Sequence, residues 1–282
     1  MIPKGKLLII GGHENKGEEK GENLDILNKK KAPSHLEILG ILISRIPRAH
    51  HSIEIIASAA EIPKEIEEIY AKSYKLKGFT HVGFIKVESK KDANDKNLVK
   101  RIHAAHAVFF TGGDQLRLIN LILETTLLKT IIRKYHDDKN FIVGGTSAGA
   151  MVMADTIITG GVIAAALYKG DIKIAKGFDL IQGVIIDTHF IKRGRFARLA
   201  HAVTLHPDCL GIGLEENTAL IISDGNKAEC IGSGMVVLID GSKISTTNIK
   251  SVDKTTPIVI DNLIVSIIAE GSHYLIKEKK LQ

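Results

Sequence analysis

The amino-acid sequence predicts an α/β fold: a mostly parallel sheet with helices on both faces and an antiparallel C-terminal extension. Three observations predict it. Between residues 6 and 143, short apolar runs alternate with helix-patterned segments across short linkers, as in a parallel sheet covered on both sides. Gly-Gly pairs at 11–12, 112–113 and 144–145 accompany three of those runs. Beyond residue 205 the apolar runs are separated by Gly, Asp and Asn turns, the texture of antiparallel strands.

Each element has its own signal. Lys6–Ile10 is a short apolar run stopped by Gly11-Gly12, as a buried parallel strand would be. Ser34-His35-Leu36-Glu37 has the capping-box spacing and opens an apolar helix through Ile46, before Pro47. Ser52–Ala57 reads as the next strand, and Pro63 suits the first turn of a helix carrying Ile66, Ile69 and Tyr70. His81–Val87 is a strand, Leu98–Ala105 a short helix, and Ala107–Phe110 a strand running into Thr111-Gly112-Gly113. Leu116–Tyr135 reads as one long helix and Phe141–Val143 as a strand entering Gly144-Gly145. Gly211–Leu214, Ala219–Ser223, Met235–Ile239 and Ile258–Ile268 read as strands extending the same sheet. The polar, Lys-rich stretches 14–32 and 88–97 read as surface loops. In such a sheet, functional loops gather at the carboxyl ends of the strands. The repeated Gly-Gly pairs therefore point to one crevice of closely approaching backbone.

The 282 residues, 44% hydrophobic and 25% charged, suit one globular α/β domain over 1–282 with a sizeable core. Two cysteines, Cys209 and Cys230, form neither a disulfide framework nor a zinc-ligand spacing, and read as small core residues. The apolar run Leu7–Ile10 is too short for a signal-peptide core, and no run of about 18 apolar residues occurs, so no membrane span is expected. A cytoplasmic location is the expectation. The net charge of +6 is compatible with an acidic partner. Nucleic-acid binding asks for a fold motif or interleaved aromatics as well. The lysine runs at 28–31, 89–91 and 277–280 read as loops and chain ends, so no nucleic-acid partner is expected.

The chemistry concentrates at residues 141–153, FIVGGTSAGAMVM. Gly145-Thr146-Ser147-Ala148-Gly149 is a G-x-S-x-G elbow between an apolar strand and a helix-compatible run. The sharp turn needs small residues two positions either side of the serine. It holds the hydroxyl at a helix N-terminus, where the dipole and the Ala148 amide can stabilise an oxyanion. The bland alternative is a chance match in a chain with 26 glycines; the strand–turn–helix context weighs against it. A serine needs a base, and the base an orienting acid. Of 12 histidines, His189 follows the apolar run Val184–Asp187 and precedes Lys192-Arg193-Gly194-Arg195, where a crevice-facing base should stand. Glu215 and Glu216 follow Gly211–Leu214; adjacent strand residues face opposite ways, so one should point inward, and the residues alone leave the choice open.

The segments FTGGDQLRL (110–118), GGTSAGA (144–150), GVIIDTHFIKRGRFARL (183–199) and GIGLEENTALI (211–221), with IIGG at 9–12, resemble the cyanophycinases, a family of serine peptidases, in order and spacing. The resemblance implies a fold like that of class I glutamine amidotransferases and aspartyl dipeptidases, flavodoxin-like in outline. It implies Ser147 as nucleophile, His189 as general base and Glu216 as orienting acid. Gly113 and Ala148 amides would hold the oxyanion. Gln115, Asp187, Thr188, Arg193, Arg195 and Arg198 fall at positions similar to substrate contacts of the family. The implied substrate is cyanophycin, a poly-aspartate backbone bearing arginine on its side chains, cut to β-aspartyl-arginine dipeptides through an acyl-enzyme. The implied assembly is a homodimer, and no metal or cofactor is called for.

One position departs from the family pattern. Asp187-Thr188-His189 stands where Asp-Gln-His is usual, so a substrate amide contact would be lost at Thr188, and a smaller aspartyl or β-aspartyl peptide becomes an alternative substrate. Three rival readings remain. An esterase-type α/β-hydrolase would take its base after its acid, as His273 after Asp240 or Asp261. An aspartyl dipeptidase would keep the same nucleophile. A non-catalytic scaffold would have no use for a complete serine, histidine and glutamate set.

Overall fold

The structure is a computed structural model that describes residues 2–12, 38, 40, 44, 52–76 and 81–282. The predicted helix over 34–46, but for three positions, and the loop over 14–32 lie outside the described residues.

Two sheets build the frame. The first has nine strands: β1 (Lys6–Ile10), β2 (Ser52–Ile56), β3 (His81–Ile85), β4 (Ala107–Phe110), β5 (Ile142–Thr146), β10 (Thr218–Ser223), β11 (Lys227–Gly232), β16 (His273–Leu275) and β17 (Lys280–Leu281). Their order is β17-β16-β11-β10-β1-β5-β4-β2-β3. The run β1-β5-β4-β2-β3 is parallel. From β1 outward to β17 the pairings are antiparallel. The second sheet, β15-β12-β9-β8, joins β8 (Val184–Asp187), β9 (Leu210–Leu214), β12 (Met235–Asp240) and β15 (Ile264–Ala269). Within it β8 and β9 are parallel. Two antiparallel ribbons stand outside both sheets: β6 (Thr156–Gly160) with β7 (Lys173–Lys176), and β13 (Thr246–Thr247) with β14 (Ile260–Asp261). The strands expected after residue 205 thus divide between two sheets, where a single sheet was expected. Composition marks a strand but does not name its partner, because both sheets bury apolar residues.

The inner strand β1 is apolar along both faces for a physical reason. In β1, Leu7 and Ile9 pack into one core with Leu118, Ile131 and Tyr135, while Leu8 and Ile10 pack into another with Tyr70, Tyr74 and Phe109. Successive side chains of a strand face opposite ways, so a strand buried on both faces shows no polar alternation. Burying each such side chain contributes on the order of 1.5–3 kcal/mol.

Helices α1 (Pro63–Leu76), α2 (Lys96–Ala104), α3 (Gln115–Ile122) and α4 (Thr126–Asp137) connect the parallel strands. The single helix predicted over Leu116–Tyr135 is two. Glu124 takes a left-handed φ of 66°, and Thr125 caps α4 by accepting from the Leu128 amide. No glycine or proline marks this break, so the apolar pattern runs through it unnoticed. Among the described residues, no helix is long and apolar enough to cross a membrane.

Register decides where the site forms. Ile10 stands opposite Thr146 and Phe110 opposite Gly145, so β1, β5 and β4 end side by side. Gly11-Gly12, Ser147 and Thr111-Gly112-Gly113 leave from those three ends. Gly144-Gly145 lies inside β5 rather than after it.

Candidate active site

Ser147 follows β5 directly and takes φ 51° and ψ −118°, outside the regions ordinary L-residues favour. Its amide donates to the Ile10 carbonyl at 3.1 Å, which ties the turn to the end of β1. The flanking glycines are steric requirements. A Cβ on Gly149 would lie 2.2 Å from the Phe110 carbonyl oxygen, and one on Gly145 would lie 2.4 Å from that of Gly149. The following helix, α5 (Ala148–Met151), is a single turn. It therefore supplies first-turn amides, which have no intrahelical acceptor, more than the helix dipole expected from sequence. Ala148 carries the first of these amides. The turn after β4 lies against the serine: a Cβ on Gly112 would fall 3.3 Å from Ser147 Cβ.

The second sheet brings the partner groups. Just past β8, His189 adopts φ 49°, and its amide donates to the Gly11 carbonyl at 2.8 Å. Its Nε2 stands 3.0 Å from Ser147 Oγ, and its Nδ1 2.6 Å from Glu216 Oε1. A carboxylate only accepts, so Nδ1 carries the proton and Nε2 is left to accept from the serine hydroxyl. Glu216 sits on the short link from β9 into β10, where the chain crosses from one sheet to the other. That crossing is pinned by Gly11 N donating to Thr218 O and Asn217 N to Gly12 O.

The two glutamates face different ways, and both lie on the link beyond β9 rather than within it. Glu216 faces His189. Glu215 turns to the loop beyond it, its Oε2 accepting from the Ile191 and Lys192 amides. The second oxygen of Glu216 meets Lys192 Nζ at 2.7 Å. Lys192 carried no sequence signal beyond membership of a basic run.

Burial depresses the His189 pKa below the ordinary imidazole value; the Glu216 hydrogen bond opposes this, and the positive charges of Arg193 and Arg195 reinforce it. A neutral imidazole is the form that can take a proton.

The arginines separate into two groups. Asp187 is fully buried, and Arg198 grips it with both Nε and a terminal nitrogen, the Nε at 2.8 Å. Arg195 donates to Asp187 at 3.1 Å and to the Thr188 carbonyl at 2.7 Å. Thr188 is itself fully buried. Asp187, Thr188 and Arg198, expected to touch substrate, are buried, and the Asp187 carboxylate accepts from both guanidinium groups and from the Thr188 amide at 2.8 Å. Arg193 is exposed and Gln115 half-buried, with Gln115 Nε2 donating to the Ile158 carbonyl at 3.3 Å. The rival base His273 lies on β16, four strands from β5 in the sheet order.

An α/β fold that aligns a serine, a histidine and a carboxylate in one hydrogen-bonded row has the layout of a serine hydrolase. Comparison with known proteins agrees and narrows the class. The model of peptidase family S51 matches residues 28–230. The chain belongs to peptidase family S51. It is 30% identical over 279 residues to a cyanophycinase of Synechococcus elongatus, spanning 99% of this chain and 81% of that one. It is 35% identical over 222 residues to a cyanophycinase of Geminocystis herdmanii, spanning 79% and 81%. Among solved structures, a peptidase from an acI-B1 Actinobacterium superposes with a TM-score of 0.64 at 20% identity, covering 98% of this chain and 97% of that one, a likeness of fold.

Proposed function

We propose that this chain is a serine peptidase that hydrolyses cyanophycin to β-aspartyl-arginine dipeptides. The observation that carries the reading is the row Ser147–His189–Glu216, with 3.0 Å and 2.6 Å contacts, in a member of a peptidase family whose relatives include cyanophycinases. His189 Nε2 accepts the Ser147 proton as Oγ attacks the aspartyl carbonyl carbon. The Gly113 and Ala148 amides face the resulting oxyanion. As the tetrahedral species collapses, the imidazolium returns its proton to the leaving amine, which departs and leaves the acyl chain on Oγ. Water then gives a proton to His189 and attacks the ester carbonyl; the C–Oγ bond breaks, the imidazolium returns its proton to Oγ, and the acid leaves with the serine restored. Glu216 holds the imidazole tautomer and stabilises the imidazolium throughout.

Arg193, Arg195 and Gln115 read the substrate, with the guanidinium groups suited to carboxylates. Asp187, Thr188 and Arg198 stand behind them and set the direction of Arg195. The same reading takes the chain as a single domain with helices on both faces of its main sheet, an antiparallel C-terminal extension and a homodimeric assembly in the cytoplasm. The test is digestion of purified cyanophycin followed by mass spectrometry of the products. Wild type should release β-aspartyl-arginine and Ser147→Ala should not. Intact polymer with wild type, alongside cleavage of small aspartyl peptides, would move the substrate to the dipeptide class.

A further inference from the structure

Lys192 is held at both ends by two adjacent glutamates. Glu215 Oε2 accepts from its amide at 3.2 Å, while Glu216 Oε2 meets its Nζ at 2.7 Å. Glu215 Oε2 also takes the amide of Ile191, so the loop after His189 is clasped over two successive residues. The Arg193 amide closes back on the His189 carbonyl at 3.0 Å. Glu215 is anchored in turn by its own amide, which donates to the Met235 carbonyl at 3.1 Å. The consequence is geometric: one oxygen of Glu216 faces His189 and the other faces a lysine whose backbone cannot drift.

We infer that Lys192 is a positioning residue, acting through Glu216 to fix the carboxylate against His189 and to moderate its negative charge. This rests on the proposed roles of Ser147, His189 and Glu216. Among the described residues, Glu216 contacts His189 directly, Arg193 and Arg195 act on it through their charge, and Lys192 pairs with the other oxygen of Glu216. Lys192 neutralises part of the Glu216 charge. Without its ammonium, Glu216 attracts the imidazolium more strongly, His189 holds its proton to higher pH, and the base becomes available later on a rising pH scale. Lys192 is largely exposed, so salt should weaken the effect.

The experiment measures the rate of Ser147 labelling by a fluorophosphonate against pH, for wild type, Lys192→Met and Lys192→Arg, in low and high salt. Lys192→Met should shift the acid limb upward by about half a pH unit at low salt, the size of a solvent-screened charge at short range. Lys192→Arg should restore the wild-type limb, and high salt should narrow the gap. A limb unmoved in Lys192→Met, with wild type labelled normally, overturns the role of Lys192. No labelling of wild type at Ser147 overturns the underlying reading instead. Circular dichroism over the same pH range separates the shift from acid unfolding of a variant, which would lower the folded signal along the same limb.

Discussion

His189 Nε2 stands 3.0 Å from Ser147 Oγ although the two residues come from different sheets and lie 42 positions apart. What brings them together is the Gly11-Gly12 turn, whose Gly11 carbonyl accepts the His189 amide while the preceding Ile10 carbonyl accepts the Ser147 amide. One strand end of the first sheet therefore positions both the hydroxyl and its base.

That turn should tolerate no side chain at Gly12. Its φ is 104°, and a Cβ there would lie 2.4 Å from His189 Nε2. Gly12→Ala must push the imidazole away from the serine or distort the turn. Turnover should fall by about a hundredfold, as displacements near 1 Å do. Steady-state kinetics, with circular dichroism to verify the fold, checks this.

The pH profile follows from the burial of His189. As pH rises, the imidazolium loses its proton and becomes the base, so activity rises through the His189 pKa. Burial and the two nearby arginines place that pKa below 6.5, against the pull of Glu216. The acid limb of kcat/KM should therefore lie below pH 6.5. Arg193→Ala removes a repelling charge and should move the limb upward. A downward movement would contradict the assignment of that limb to His189.

Asp187 should behave as a structural carboxylate. Replacing it with Asn leaves Arg198 buried without its ionic partner, at a cost of about 3–5 kcal/mol. Urea denaturation should show a lowered midpoint in Asp187→Asn. An unchanged midpoint with a raised KM would place Asp187 in contact with substrate after all.

Much of this arrangement was legible in the sequence, and the gaps have physical causes. The elbow at Ser147 was legible because its five letters stand between an apolar strand and a helix-compatible run; Gly145 answers to the nearby Gly149 carbonyl, whereas Gly149 answers to the Phe110 carbonyl of another strand, which only folding reveals. His189 was legible because a polar residue just past an apolar strand faces a crevice. Glu215 and Glu216 could not be separated, since their facing depends on how β9 leaves its sheet for β10. Asp187 and Arg198 form a pair across 11 residues that only folding reveals. The division of the C-terminal strands between two sheets was hidden for a similar reason: pairing is non-local, whereas composition is local.

Intact-protein mass spectrometry after fluorophosphonate treatment tests the role of Ser147 most directly. Wild type should gain one adduct mapping to Ser147, Ser147→Ala should gain none, and His189→Ala should label far more slowly. Equal labelling of Ser147→Ala and wild type would contradict the assignment, as would a wild type that cleaves peptide while Ser147 stays unmodified.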